Sequence, residues 1–184
     1  MIGHGRQSVS TGLAVALAIF NVAAISMIDD ATAEPKHTSK NIDPDFVTVG
    51  AGGFDVNDNE TAGQLEIQGR LNNRFWFFKP HFGMFLTTES GFYGYAGVVT
   101  DIFFGGRFVA SPSVAVGANQ EGNGKQLGGT LEFRSAIELA YRFDDRSRLG
   151  IQVGHLSNAG IYAENPGTEF AILNYSVPTN VFSR

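Results

Sequence analysis

From Leu131 to Phe143 the side chains alternate along the chain: Leu131, Phe133, Ile137, Leu139, Tyr141 and Phe143 fall on one side, and Glu132, Arg134, Glu138 and Arg142 on the other. Successive side chains point to opposite faces only in a β-strand. This strand therefore carries aromatic and aliphatic groups on one face and charges on the other. Two architectures accept such a strand. A soluble sandwich turns the apolar face inward, and a barrel in a bilayer turns it outward and keeps the polar face in the lumen.

The same alternation recurs along the chain, which favours the barrel. At 63–71, Leu65, Ile67, Gly69 and Leu71 alternate with Glu66, Gln68 and Arg70. Strands are expected at 46–54, 63–71, 74–86, 92–104, 107–118, 131–143, 147–157 and 169–177, eight in all. Tight turns at Asn72-Asn73, Gly105-Gly106 and Asp144-Asp145 alternate with longer polar connections at 55–62, 119–129 and 158–168, the short link near Glu89 being the exception. An even strand number with short turns at one end and longer loops at the other is the outer-membrane pattern. The fold class expected is all-β, an eight-stranded antiparallel transmembrane β-barrel. Eight strands enclose a lumen that side chains fill, so Glu66, Arg70, Lys79, Asp101, Glu132, Arg134, Glu138 and Arg142 should pair within it.

Composition agrees. Sixteen Phe, five Tyr and 23 Gly suit strands and turns, and the absence of cysteine excludes disulfides and thiolate metal sites. A net charge of −5 without basic clusters argues against nucleic acid as a partner. Residues 1–33 read as a signal peptide: Arg6 near the start, an apolar run over 11–28, and Ala31-Thr32-Ala33 before Glu34. Residues 34–184 then form the barrel domain, with 34–44 as a polar tether. His4 and His37 fall outside the strands, and His81 is expected to hydrogen-bond within the lumen.

Chemistry concentrates near the end of the chain. On the strand at 147–157, Leu149, Ile151, Val153, His155 and Ser157 share the apolar face, which is the outer wall of the barrel. On the next strand Glu169 shares its parity with Ala171, Leu173, Tyr175 and Val177. A hydroxyl, an imidazole and a carboxylate thus converge on a surface that should otherwise be greasy. If both termini are periplasmic, the group lies at outer-leaflet height. Serine catalysis needs a base beside the hydroxyl and a third group to orient that base.

The segment His155-x-Ser157-Asn158-Ala159-Gly160, then Asn165-Pro166-Gly167, Glu169 and Tyr175-Ser176-Val177-Pro178, resembles the signature of the lipid A 3-O-deacylases, the PagL family of outer-membrane lipid A hydrolases. The resemblance implies Ser157 as nucleophile, His155 as base, Glu169 as its orienting carboxylate and Asn165 as an oxyanion donor. It further implies Asn158, Ala159 and Gly160 as supporting donors. It implies hydrolysis of the 3-O-linked hydroxyacyl ester of lipid A, the substrate being lipopolysaccharide in the Gram-negative outer membrane. No cofactor or metal is implied, and pairing into a homodimer is left open. One departure is the C-terminus, where Phe182 is followed by Ser183-Arg184 rather than closing the chain. The alternatives are a non-enzymatic structural or adhesive barrel acting through its loops, and a lipid A acyltransferase.

Overall fold

The structure is a computed structural model that describes residues 43–57 and 61–180. The expected signal peptide, most of the tether and the last four residues lie outside the described residues. Among the described residues there are nine strand segments: β1 (Phe46–Phe54), β2 (Ala62–Arg70), β3 (Lys79–Thr87), β4 (Phe92–Val99), β5 (Ile102–Phe104), β6 (Phe108–Gln120), β7 (Leu131–Arg142), β8 (Arg148–Ser157) and β9 (Thr168–Pro178). All neighbours are antiparallel, and the order β4-β3-β2-β1-β9-β8-β7-β6 is closed by pairing of β4 with β6. Among the described residues closure pairs both edges of every strand except the short β5, which is bonded to β6 alone, and such closure is what a strand protein needs to cross lipid.

The fourth stave is β4 plus β5. Val99 pairs with Ser113 and Ile102 with Ala110, so one register runs through both segments. The interruption lies opposite Pro112, which has no N–H to give the ladder. Thr100 keeps the other half of that pairing, its N–H donating to the Pro112 carbonyl at 3.0 Å. The barrel thus has eight staves, as the alternation predicts.

One rim carries the described chain ends and the turns at 71–78, 105–107 and 143–147. The other carries the described residues 55–57 and 61 between β1 and β2, and the connections 88–91, 121–130 and 158–167. We call these the terminal rim and the loop rim. Outward side chains between them, among them Val49, Leu65, Leu86, Leu139 and Ile151, are more than half exposed and form a continuous apolar belt. Exposed apolar surface on this scale is what a bilayer covers.

Inside, the lumen has two halves. In the terminal half Asp101 takes contacts from Arg70 at 3.0 Å, Lys79 at 2.7 Å and Arg148 at 3.2 Å, and Asp43 takes Lys79 and Arg148 at 2.8 Å each. In the loop half Phe54, Phe85, Tyr93, Tyr95, Leu127, Leu156, Phe170 and Ile172 pack into an apolar plug. Arg134 marks the boundary: it pairs with Glu66 at 3.1 Å while its guanidinium lies 4.7 Å from the Tyr95 ring centre and 4.5 Å from that of Phe170.

Several sequence expectations change. The third strand begins at Lys79 rather than Arg74, and the turn is not Asn72-Asn73. The ladder instead runs on through Leu71, which donates to Pro80, and the Asn72 N–H is taken by Asp45 at 2.6 Å. The chain reverses at Trp76-Phe77, between paired Phe75 and Phe78. Arg142 does not join the lumen network; its guanidinium lies 6.0 Å from the Phe103 ring centre at the terminal rim. Glu132 is buried, but its carboxylate meets no hydrogen-bond donor among the described residues. Arg148 takes a place in the network instead. So does Asp43, which lies within the stretch expected to be only a tether.

Candidate active site

At the loop-rim end of β8 the alternation sends His155 outward, Leu156 inward and Ser157 outward. Leu156 is fully buried in the plug, and so is Phe170, the inward neighbour of Glu169. These two apolar anchors fix the ends of β8 and β9. The outward groups beside them therefore have set positions on the wall.

The β8–β9 register places His155 directly opposite Glu169. The imidazole Nδ1–H donates to Glu169 Oε1 at 3.1 Å. That bond fixes the tautomer, leaving Nε2 as the nitrogen with the lone pair. Nε2 is buried against Gly167 and has no hydrogen-bond partner, so the structure sets His155 and Ser157 on one strand face without a bond between them. Ser157 is itself largely covered, with 6% of its surface exposed. On the other flank β7 sets Ser135 opposite His155 and Phe133 opposite Ser157.

Glu169 is held from both sides. Its carbonyl accepts from the Val56 N–H at 3.1 Å, and the neighbouring Thr168 hydroxyl donates to Asp55 Oδ1 at 2.7 Å. Asp55 is buried, with Lys125 Nζ at 3.4 Å from the same oxygen. The end of β1 thus locks the start of β9.

The 158–167 loop is organised by Asn158, which has no exposed surface. Its N–H donates to Asn165 Oδ1 at 3.0 Å, and its side-chain amide donates to the carbonyls of Leu127 at 3.0 Å and Glu164 at 2.8 Å. Its own Oδ1 accepts the Gly160 N–H at 3.0 Å. Ala159 and Gly160 turn the chain with φ of 54° and 79°. Among the expected supporting donors, Asn158 and Gly160 therefore spend their hydrogen bonds on shaping the loop. The Ala159 N–H and the Asn165 amide nitrogen carry none of these bonds, and both residues are exposed.

A model of the lipid A 3-O-deacylase (PagL) family matches residues 50–178, from the middle of β1 to the end of β9. The chain belongs to the PagL family. A lipid A deacylase PagL of Bordetella bronchiseptica is 35% identical over 52 residues, a stretch that is 28% of this chain and 29% of that protein. The fold matches the crystal structure of the outer membrane enzyme PagL with a TM-score of 0.60 at 18% identity, covering 72% of this chain and 99% of that one. The family match takes in His155, Ser157 and Glu169 together with every strand that positions them.

Three positions in this PagL-family chain have roles that the sequence pattern does not assign, Gly167 among them although it stands in the signature. Gly167, at φ +64°, lies against the imidazole: a Cβ there would stand 2.9 Å from His155 Cε1 and 3.2 Å from Nε2. The Pro-Gly pair just before Glu169 is a turn signal that could have pointed to it. Asp55 ends β1, and no local pattern reveals a partner more than a hundred residues away. Leu127 is a single leucine in a polar loop, yet it both fills the plug and holds Asn158 through its carbonyl.

Proposed function

We propose that the protein is a lipid A 3-O-deacylase of the Gram-negative outer membrane, an ester hydrolase with Ser157 as nucleophile, His155 as base and Glu169 as the orienting carboxylate. The observation that carries this reading is the His155–Glu169 pair on the lipid-facing wall, with Nε2 unpartnered and Ser157 two residues along the same strand face. Neither a structural barrel nor a loop-borne adhesin has a use for such a pair.

Ser157 Oγ attacks the ester carbonyl of the 3-O-linked hydroxyacyl group, and its proton passes to Nε2. Glu169 stabilises the imidazolium through Nδ1. The Asn165 amide nitrogen and the Ala159 N–H are the donors available to the oxyanion, each worth on the order of 3 kcal/mol in serine hydrolases. Collapse returns the proton to the sugar hydroxyl and leaves an acyl-serine. Water activated by His155 then releases the 3-hydroxy fatty acid.

The site's place supports lipid as substrate. It opens on the wall rather than into the lumen, so the acyl chain can lie along Val153 and Leu173, both about half exposed directly below. One chain supplies all three groups, so the reaction requires no second copy. Mass spectrometry of lipid A from cells producing the protein should show loss of one 3-hydroxyacyl group. Ser157→Ala should lower that activity about a thousandfold or more while leaving a folded, heat-modifiable barrel. Deacylation undiminished in a folded Ser157→Ala barrel would refute the assignment, and a gain in lipid A mass would indicate acyl transfer instead.

A further inference from the structure

Among the described residues the two most exposed aromatic side chains lie at the opposite end of the barrel. In the β2–β3 connection Trp76 is 80% exposed and Phe75 76%, with Phe77 beside them at 55%. They sit on a two-residue reversal: the Phe75 N–H donates to the Phe78 carbonyl at 2.9 Å, and the Phe78 N–H to the Phe75 carbonyl at 3.1 Å. Trp76 has φ 60° and Phe77 is not in the left-handed region, the sign pattern of a type II′ turn, whose first central position normally takes glycine. A tryptophan held there is strained, and such strain persists where the surroundings require the residue. The Phe75 and Trp76 rings stack on each other, 7° from parallel with centres 6.0 Å apart. Stacking leaves their outer faces uncovered.

The turn is continuous with the lipid-facing wall. Pro80, Phe82, Met84 and Leu86 follow it outward along β3, and the Thr100 hydroxyl ties the Phe77 carbonyl to the β4–β5 stave at 3.4 Å. Farther round the same rim, exposed Phe104, Phe108, Tyr141 and Phe143 make an aromatic band. Arg74, also exposed, directly precedes Phe75. A tip of three rings is far too small for a stable protein interface, which needs on the order of 1,000 Å². Aromatic rings with an adjacent cation instead match the boundary between acyl chains and phosphate headgroups.

We propose that residues 74–78 form a membrane-interface anchor on the phospholipid leaflet at the terminal rim, with the rings at the level of the glycerol esters and Arg74 on a lipid phosphate. The anchor is independent of the catalytic assignment. Trp76 is the sole tryptophan of the chain, so its fluorescence reports the turn without labelling. The barrel is reconstituted in phosphatidylethanolamine–phosphatidylglycerol vesicles containing lipids brominated near the carbonyl or near the chain end. Expected is a blue-shifted emission that resists aqueous iodide and is quenched most by the shallow bromines. The double variant Trp76→Phe/Ile151→Trp, with its reporter in the middle of the belt, should be quenched most by the deep bromines. Water-like emission open to iodide overturns the anchor. So does a blue shift that develops only as protein is crowded at fixed lipid, which would indicate a second copy, or a bromine profile identical to that of Ile151→Trp. Arg74→Glu should raise iodide access severalfold, and unchanged access would remove Arg74 from the contact.

Discussion

In the terminal half of the lumen the wall is held by charge: Arg70, Lys79 and Arg148 converge on Asp101, and Asp43 bridges two of them. In the loop half it is held by shape, with Leu127, Leu156, Phe170 and their aromatic neighbours filling the bore. Buried charge pairs tie together segments distant in sequence, and each pair fails badly when one member is removed. Close packing instead fixes backbone position to a fraction of an ångström, which a reaction between neighbouring side chains demands. The site lies outside the apolar half. The comparison teaches that integrity and alignment are assigned to different ends of one bore.

Substitutions can break that division or sharpen it. The largest loss should follow Arg148→Met, which leaves Asp43 and Asp101 short of a cation and costs about 3–5 kcal/mol. Denaturant unfolding from vesicles should show the loss, while ester hydrolysis per folded molecule stays as it was. A parallel fall in hydrolysis would show that the two halves are not separate. Leu156→Ala should cost about 2–5 kcal/mol through the cavity it opens. Unlike Arg148→Met, it should also slow turnover of the folded enzyme, because the anchor between His155 and Ser157 is gone. Gly167→Ala forces an alanine into the left-handed region, at about 1–2 kcal/mol, and drives a methyl against the imidazole. Its mark should be a lower kcat with KM nearly unchanged. Thr168→Val removes the hydroxyl's bond to Asp55, and a stability loss of about 0.5–1.5 kcal/mol with a small drop in kcat is expected.

Much of this was readable in the chain because a strand's period of two sorts residues by face whatever their partners. Parity alone assigns Glu66, Lys79 and Arg134 to the lumen, and His155, Ser157 and Glu169 to the wall. Parity says nothing about which inward residue meets which. Asp43 stands in a polar stretch without alternation, and its partner Arg148 is more than a hundred residues away. Arg142 has the right parity but lies at the rim, where a long side chain can leave the bore. Pro112 lies inside the strand expected at 107–118 and costs only a short gap, because its stave stays bonded to β7 on the other side. The turn at Trp76-Phe77 was hidden because its strained position holds a tryptophan where glycine is the usual signal.

The outward direction of the His155–Glu169 pair also decides how such an enzyme must be measured. A catalyst whose face opens sideways into the bilayer meets substrate by lateral diffusion in two dimensions, so its effective substrate concentration is a mole fraction of the leaflet. Diluting lipid A with inert lipid should slow it, whereas diluting the same vesicles with buffer should not.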